Sequence, residues 1–510
     1  MYMSIARGAQ NRRKEAGTSR VSTRKATTKR ALVLSAFWFL ACSATLAQSA
    51  RVVPIYQDAA TKLMWYQAEF HGFPPQKMPT RANPPGTQNW TSSEQYLTWD
   101  VSVVKGGEYG VSILYQTRKG GAGTEFEVPV GQSKVVGITR ETGNAWRKPG
   151  WELQPLSGNL KLPAGHNRIT LRIVKKSETT TEIMQLRALE LIRSPVRTRM
   201  ESRARNSRAK TDWMVAAKYG IMFHWTVDTQ PRRGPQKPYC EAVQAFDVNR
   251  FASMVEETGA GYVVFTTSHG RFFFPGPIGR IEKLMPGRTC PRDLPSDLAD
   301  ALARRGTKLI LYSGWSTGDD EFAKAFGYRD PEKIDTFNRN ISAVLTEIGK
   351  RYGRKMAGLF FDGGFETYLY PYNFSFERVT AAARAGNPER VISYNHWIFP
   401  KITNFQDYWI GESGGRLAPA PEAGTFQNGG VQDGMQAHLN PFLDDPWVHK
   451  TPDKDIREPL HSTEELVDYV RRCVETKTVP SINLGIYQDG TVSDASLQQM
   501  RAVRKAIRGQ

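Results

Sequence analysis

Two patterns of apolar and polar positions divide this chain. Between about residues 63 and 192, short runs alternate apolar and polar residues and are separated by Gly-Gly, Pro-Ala-Gly and Gly-Asn breaks. The runs are Gln95–Val103, Gly107–Tyr115, Thr124–Val130, Asn167–Val174 and Gln185–Ile192. Because a period of two is typical of strands with one buried face, residues 51–192 are predicted to form an antiparallel β-sandwich.

From Asp212 onward, continuous apolar runs alternate with helical patterns. The predicted strands are Tyr219–His224, Tyr262–Thr267, Lys308–Ser313, Gly358–Asp362, Val391–Asn395, Tyr408–Gly411 and Pro480–Gly485. One helix is predicted over Ile334–Tyr352, where apolar residues share one face and Gly353 fits the position after the helix; another spans Ser296–Arg305. Residues 211–510 are therefore predicted to form a (β/α)8-type barrel, with an open doubly wound sheet as the alternative.

Residues 193–210 separate the two predicted domains. They contain seven basic residues and no long apolar run. The segment is predicted to be a linker or a solvated helix in a multidomain protein.

The first 47 residues have the layout of a secretory signal peptide. Nine Lys or Arg against one acid, Glu15, occupy the first thirty residues, and Ala31–Ala47 carries no charge. The alternative is an uncleaved anchor, since seventeen uncharged residues are at the short limit for a span. We expect export to the periplasm or beyond, with no stable membrane span after cleavage.

The net charge and the cysteine content limit which kinds of partner and which kinds of catalytic chemistry we expect. The first thirty residues supply +8 of the formal net charge of +19, which leaves +11. For an exported protein this favours a polyanionic glycan over nucleic acid, with a merely basic soluble surface as the alternative. Beyond Cys42 the chain has Cys240, Cys290 and Cys473, enough for one disulfide at most. The sequence contains no CxxC, HExxH or phosphate-loop motif, so metal and nucleotide chemistry have no motif in their support.

Chemistry-bearing residues stand at the ends of predicted strands. Three of the eight histidines, His224, His269 and His396, end apolar runs, and Asp362 closes another run before two glycines. In a barrel of parallel strands these ends meet at one face. The pattern predicts a shared polar site, and the alternative for each histidine is a place in the core.

Five stretches in this half, in order, resemble the α-L-fucosidases of glycoside hydrolase family 29 and their relatives. They are Trp213–Trp225, Phe246–His269, Asp297–Tyr312, Leu359–Gly364 and Ser481–Gly490. The resemblance implies that Asp362 is the nucleophile of a retaining mechanism, which requires a second carboxyl group about 5–5.5 Å away. Glu412, at the end of another predicted strand, is the expected acid/base.

The resemblance also implies residues that contact the sugar. They are His224, Trp225, Glu241, His269, His396 and Trp397. Trp225 is alternatively a packing residue, and Glu241 a surface carboxylate. Glu422, His396 and His438 are the alternatives for the acid/base. Two departures lie among these contacts: Gly270 follows His269 where the family has a second histidine, and Asn395-His396-Trp397 stands where it often has an arginine.

The N-terminal part resembles carbohydrate-binding modules of the family 6 and 35 type. Tyr66–Glu69, Lys105–Tyr109 and Leu162–Leu171 carry this resemblance. It implies sugar stacking by loop tryptophans and a structural calcium near Glu69, although each residue also has a plain packing or surface alternative. The candidate tryptophans of this part are Trp90, Trp146 and Trp151, and those of a sugar cleft in the barrel are Trp315, Trp397, Trp409 and Trp447.

The predicted function is that of an exported, retaining, α-L-fucosidase-like glycoside hydrolase acting on fucosylated glycans or polysaccharides. No metal or cofactor is expected to take part in catalysis. The alternatives are an endo-acting hydrolase of a fucose-containing or sulfated polysaccharide and a non-catalytic carbohydrate-binding protein.

Overall fold

The computed structural model contains two β-sheets, one in each part distinguished by the sequence. It describes residues 52–77, 86–118, 120–142, 151–315, 318–365, 369–395, 403–420, 423–425 and 434–509. The predicted signal peptide lies outside the described residues. Residues from 50 onward form one compact unit.

The N-terminal sheet has ten strands. They are β1 (Val53–Ile55), β2 (Thr61–Met64), β3 (Glu69–His71), β4 (Tyr96–Val103), β5 (Gly107–Gln116), β6 (Glu125–Val130), β7 (Ser133–Ile138), β8 (Glu152–Leu162), β9 (Gly165–Lys175) and β10 (Gln185–Arg193). Their order is β1-β4-β9-β6-β7-β8-β5-β10-β2, with β3 beside β4. Neighbouring strands are antiparallel, except that β1 runs parallel to β4. The prediction of a sheet-rich N-terminal part is confirmed.

A common core fills this sheet. Trp99 of β4 and Leu171 of β9 belong to the same buried cluster as three residues of other strands. These are Tyr109 of β5, Leu160 of β8 and Leu189 of β10. The alternation of these residues along their strands explains why the sequence pattern revealed them.

A helix, α1 (Ser194–Ser207), follows β10. Of the two structures predicted for residues 193–210, a linker or a solvated helix, the helix is therefore the one observed. Arg197 of α1 lies 3.4 Å from the Ser112 hydroxyl of β5, and Arg203 pairs with Glu377 at 2.8 Å in the C-terminal part. The helix thus contacts both parts of the chain.

The second sheet has eight strands. They are β11 (Gly220–Phe223), β12 (Tyr262–Ser268), β13 (Lys308–Trp315), β14 (Met356–Gly363), β15 (Val391–Tyr394), β16 (Tyr408–Gly414), β17 (Gln436–Pro441) and β18 (Val479–Leu484). Their order is β15-β14-β13-β12-β11-β18-β17-β16, and every pair is parallel. Strands adjacent in sequence are adjacent in this barrel-like sheet, which is not the order of a doubly wound sheet.

Helices connect and cover these strands. They are α2 (Asp212–Ala216), α3 (Tyr239–Ala245), α4 (Val248–Thr258), α5 (Gly279–Leu284), α6 (Leu294–Ala303), α7 (Asp320–Phe326), α8 (Ile334–Tyr352), α9 (Phe376–Ala383), α10 (Thr463–Glu475) and α11 (Asp494–Arg508). Their apolar faces pack on the outside of the sheet in one large cluster. A second cluster, which includes Met222, Val264, Ile310, Phe360 and Ile410, is formed by strand residues of the opposite face. The sheet is therefore packed on both faces, as parallel sheets are.

A buried arginine joins several segments at the amino ends of β14 and β15. Arg390 has no exposed surface and donates hydrogen bonds to five main-chain carbonyls. The acceptors are Met356 at 3.2 Å, Gly349 at 3.0 Å, Gly353 at 2.6 Å, Ala385 at 3.0 Å, and Ala383. Burial lowers the pKa of Arg390 to about 10. One side chain thus bonds carbonyls at the ends of α8 and α9, in the residues that follow them and at the start of β14.

One disulfide joins Cys240 of α3 to Cys290, and Cys473 is a buried free thiol. This agrees with the limit of one bridge set by the sequence. None of the helices in the described part of the chain has the length and apolar content needed to cross a bilayer.

Candidate active site

Polar side chains gather at the carboxyl ends of the eight parallel strands. They come from β11, β12, β13, β14, β15, β16 and β18, or from the residue directly after the strand: His224, His269, Tyr312, Asp362, Asn395, Glu412 and Asn483. Parallel strands place these ends at one edge of the sheet, so residues far apart in sequence become neighbours.

Asp362 lies at the centre of this group and accepts three hydrogen bonds. Oδ1 accepts from the Gly363 amide at 2.9 Å and from Asn395 Nδ2 at 3.2 Å. Oδ2 accepts from the Tyr312 hydroxyl. Burial first, and then the charge of Asp362, raise the pKa of Tyr312 well above its ordinary value, so this phenol stays a donor. The carboxylate is fixed from three directions, since every one of these contacts is a donation to it.

Asn395 joins Asp362 to Glu412. Its Nδ2 also donates to Glu412 Oε2, at 2.6 Å, so one amide nitrogen bonds both carboxylates. The distance between the two acceptor oxygens therefore cannot exceed the sum of the two hydrogen-bond lengths. The amide of Asn395 is nearly inaccessible, and its main-chain nitrogen bonds the Phe361 carbonyl at 2.7 Å. A rigid donor thus holds the two carboxylates as a pair.

The two histidines stand edge to face beside this pair, with their ring centres 5.1 Å apart. Burial lowers the pKa of His224 to about 3, helped by the charge of nearby His269. Burial likewise lowers the pKa of His269, against the opposing effect of Asp362. Both rings are consequently neutral near pH 7.

The tautomer of His224 follows from its neighbour. Nδ1 lies 2.7 Å from Asn483 Oδ1, while Asn483 Nδ2 donates to the Trp447 carbonyl at 3.4 Å. Because an amide oxygen only accepts, Nδ1 of His224 is the protonated nitrogen and Nε2 is left as an acceptor. His269 Nδ1 is buried and has no hydrogen-bond partner among the described residues.

Trp447 completes one wall of the site. Its ring centre is 5.3 Å from that of His224 and 5.2 Å from that of Phe442. Its backbone has φ +67°, a conformation that costs free energy for a bulky residue and that persists only where the surroundings fix it.

The surroundings of Trp447 supply that support. Buried Asp444 accepts from the amides of Asp445 at 2.6 Å and Gly485 at 2.7 Å, and from the Ser496 hydroxyl at 2.6 Å. Buried His449 bonds Asp445 Oδ2 through Nδ1 at 2.5 Å. The loop after β17 is therefore tied down on both sides of the tryptophan.

Several predicted site residues lie elsewhere. Trp225 has no exposed surface: its ring packs on Tyr239, Phe246 and Phe265, which is the packing alternative. Glu241 is exposed on the first turn of α3, the surface alternative. His396, Trp397 and Glu422 lie outside the described residues, so their roles stay predictions.

The other candidates are mostly interior residues. His438 is buried in β17, with Nε2 2.8 Å from the Ser481 hydroxyl, and burial lowers its pKa to about 3. Trp315 is buried among four phenylalanines, and Trp409 is also buried.

In the N-terminal sheet, Trp90 and Trp151 are buried, whereas Trp146 lies outside the described residues. Glu69 is 3.6 Å from Arg168 and 3.4 Å from the Thr98 hydroxyl. The described residues contain no group of three or more His, Cys, Asp or Glu placed to hold a metal ion. The structural calcium expected near Glu69 stays a prediction.

Sequence reasoning missed Tyr312, Asn395 and Asn483 as site residues. Each lay inside a predicted strand or at its end: Lys308–Ser313, Val391–Asn395 and Pro480–Gly485. A polar residue near the carboxyl end of an otherwise apolar strand was the signal available for all three.

One family model matches more than half of the chain. The family model described as alpha-L-fucosidase matches residues 238–505, a range that contains His269, Asp362, Asn395 and Glu412 but not His224. No curated protein matches the chain.

Solved structures resemble the chain over about three fifths of its length. An endo-fucoidan hydrolase of glycoside hydrolase family 107, MfFcnA4, is 15% identical with a TM-score of 0.44; the match covers 61% of this chain and 54% of that one, so only about half of that protein is spanned. The α-L-fucosidase AlfC from Lactobacillus casei, in complex with α-L-fucose, is 17% identical with a TM-score of 0.40, over 57% of this chain and 96% of its own. A bacterial fucosidase with an iminocyclitol inhibitor is 17% identical with a TM-score of 0.42, over 59% and 75%.

Proposed function

This chain belongs to the α-L-fucosidase family of glycoside hydrolases, and we propose that it is an exported enzyme that removes terminal α-L-fucosyl residues with retention of configuration. The observation that carries the proposal is the Asn395 amide, which holds Asp362 and Glu412 together. Retaining enzymes need carboxyl groups about 5–5.5 Å apart, whereas inverting enzymes need about 6.5–9.5 Å to admit a water. Two oxygens bonded to one nitrogen match the short separation.

The proposed reaction has two displacements. Asp362 attacks the anomeric carbon and forms a bond to it, while Glu412 gives its proton to the departing glycosidic oxygen. Glu412, now ionised, then takes a proton from a water that attacks the same carbon and releases Asp362. Tyr312, Asn395 and the Gly363 amide orient the oxygens of Asp362 for both steps.

The histidines and Trp447 are proposed to bind the sugar. Nε2 of His224 accepts a hydrogen bond from a sugar hydroxyl, because the proton of this ring is on Nδ1, which donates it to Asn483 Oδ1. The Trp447 ring offers an apolar surface to the C–H face of the sugar, an arrangement in which aromatic rings serve carbohydrate ligands well.

The finer fold and the location are also proposals. We infer that the second sheet closes as a (β/α)8 barrel: the Asp407 amide bonds the Ile392 carbonyl at 2.8 Å and the Ser393 hydroxyl bonds the Tyr408 carbonyl at 2.5 Å, so β15 and β16 adjoin. The Cys240–Cys290 disulfide supports export, since such bridges persist in oxidising compartments.

The N-terminal sheet is proposed to resemble a carbohydrate-binding module in architecture. Burial of Trp90 and Trp151 directs any search for its sugar site to other residues. A binding measurement on residues 51–192 alone would first require evidence that this part folds by itself.

The test is the turnover of 4-nitrophenyl α-L-fucoside by the native chain and by Asp362→Asn. Loss of the nucleophile should reduce kcat by at least about a thousandfold. Asp320→Asn is the control, because this carboxylate has 93% of its side chain exposed on α7. Proton NMR of the first product should show the α anomer.

Other outcomes would redirect the assignment. Early formation of the β anomer would contradict retention. Shortening of a fucose-containing polymer without release of monosaccharide would identify the endo-acting alternative, and binding of sugar without any turnover would identify the non-catalytic one.

A further inference from the structure

Two loops at the carboxyl ends of the parallel strands are joined to each other beside the site. One spans residues 230–237 after β11, and the other spans residues 450–457 after β17. Asp455 pairs with Arg232 and Arg233, at 2.8 Å each, and Asp453 accepts from the Gly234 amide at 2.8 Å. We call these two segments together the basic rim.

The basic rim carries an excess of positive charge. Its six Lys or Arg residues against two Asp give a net charge of +4. They are Arg232, Arg233, Lys237, Lys450, Lys454 and Arg457. The rim's own loops already engage both of its carboxylates, and Arg457 lies 3.4 Å from Asp445.

Three lysines of the rim remain without a counter-charge. Lys237, Lys450 and Lys454 are exposed, and no carboxylate of the described residues lies within ion-pair distance of any of them. Exposed cations on a basic protein are ordinary by themselves. Their position relative to the site distinguishes these three.

The position of Lys450 is fixed with respect to the sugar pocket. The carbonyl of the preceding residue, His449, accepts from the Gln230 amide at 3.0 Å, and the His449 ring is clamped by Asp445. Three residues before Lys450, the Trp447 ring lies against His224. The charge of Lys450 also contributes to the lowered pKa of both His224 and His269.

We infer that the basic rim binds sulfate or carboxylate groups of an anionic glycan while a fucosyl residue of that glycan occupies the site. This inference rests on the proposed function, and it adds the charge class of the substrate. A single exposed ion pair contributes only about 0–1 kcal/mol, but several cations facing a polymer act together and attract it at low ionic strength.

The test compares a rim variant with a matched surface variant. The rim variant is Lys237→Gln/Lys450→Gln/Lys454→Gln. The control is Lys105→Gln/Lys161→Gln/Lys175→Gln, which removes the same charge from three exposed lysines of the N-terminal sheet. The substrates are fucosylated oligosaccharides of one size that are sulfated, uronate-bearing or neutral.

The rim variant should lose at least about tenfold in kcat/KM on an anionic oligosaccharide relative to the neutral one, and this loss should shrink in 0.5 M salt. A loss of kcat/KM confined to the sulfated substrate would show that the rim binds sulfate, and a loss confined to the uronate substrate would show that it binds carboxylate. A loss on both substrates would show that the rim binds either group through its negative charge. Equal substrate ratios in the rim and control variants would overturn the inference.

A binding measurement separates this inference from the proposed function. Calorimetric titration with a sulfated fucan and with its desulfated form needs no turnover. Tighter binding of the sulfated polymer by the native chain, weakened in the rim variant and kept in the control, would support the rim even if 4-nitrophenyl α-L-fucoside were inert. Turnover of that aryl fucoside with indifference to sulfation would retain the function and reject the rim.

Discussion

Asp444 provides a stability prediction with a defined pH range. Its carboxyl group has no exposed surface and belongs to the same loop after β17 that carries Trp447. Burial raises its pKa to about 6, although donations from Ser496, Gly485 and Asp445 oppose that effect. In an unfolded chain an aspartic acid titrates near about 3.9.

The sign and size of the effect follow from these two values. Because the pKa is higher in the folded state, folding favours the protonated form. The contribution of this group to stability is complete below about pH 4 and is lost as the pH rises to about 6. A difference of about two pKa units corresponds to about 3 kcal/mol in the free energy of unfolding.

Asp444→Asn removes the titration and keeps the shape of the contacts. The amide oxygen can accept from the Asp445 and Gly485 amides as Oδ1 does, and the new NH2 group can donate to the Ser496 hydroxyl. Between pH 4 and pH 7 the native chain should therefore lose about 3 kcal/mol of stability relative to the variant.

The assay is unfolding by urea or heat at intervals between pH 4 and pH 8. The relevant quantity is the difference between native chain and variant at each pH, since other groups titrate in both. Asp58→Asn, at an exposed carboxylate, is the control. A difference that stays constant across this range, or that favours the native chain as the pH rises, would refute the reasoning.

Three further changes test other parts of the structure. Asn395→Ala removes hydrogen bonds to two carboxylates, and kcat on the aryl fucoside should fall about a hundredfold; a change confined to KM would contradict its role in orienting them. Arg390→Met removes a fully buried side chain's hydrogen bonds to five main-chain carbonyls, so the free energy of unfolding should drop by more than about 4 kcal/mol, whereas Arg354→Met on the surface should change it little. Cys240→Ser/Cys290→Ser opens a loop of 50 residues and should lower stability by about 4 kcal/mol, and a melting temperature equal to that of the oxidised native chain would argue against the bridge.

The sequence predicted the elements whose apolar residues follow a regular period. The helix predicted over Ile334–Tyr352 has those bounds in the structure, because its apolar stripe is continuous and Gly353 ends it with φ +47°. The strand Gln436–Pro441 was missed because polar side chains alternate with its apolar ones although both faces are buried: Gln436, His438 and Asn440 all have 4% or less of their surface exposed. Gln436 donates to the carbonyls of Gly424 and Lys477, and His438 lies 2.8 Å from the Ser481 hydroxyl, contacts that no hydropathy pattern can show.

The candidate site also contains residues that the sequence predicted and residues that it did not. Asp362, His224 and His269 could be found from the sequence because each combines a reactive side chain with a strand end. Asn395 also stands at a strand end, but an amide has no acid–base chemistry of its own to mark it as a site residue. Its significance comes from the two carboxylates that β14 and β16 bring to it, a juxtaposition that only the folded chain contains.

Arg390 anchors the amino end of β15, and Asn395, which bonds both proposed catalytic carboxylates, directly follows that strand. Arg390 fixes the start of β15 to the ends of two helices, and Asn395 stands at the far end of the same strand. At about 3.3 Å per residue, the intervening strand is an arm of roughly 13 Å, so a tilt of about 5° at the base would move the Asn395 amide by roughly 1 Å. Displacements of that size can cost an enzyme about a hundredfold in rate. We therefore expect the spacing of the two carboxylates to depend partly on the Arg390 guanidinium at the opposite end of the strands.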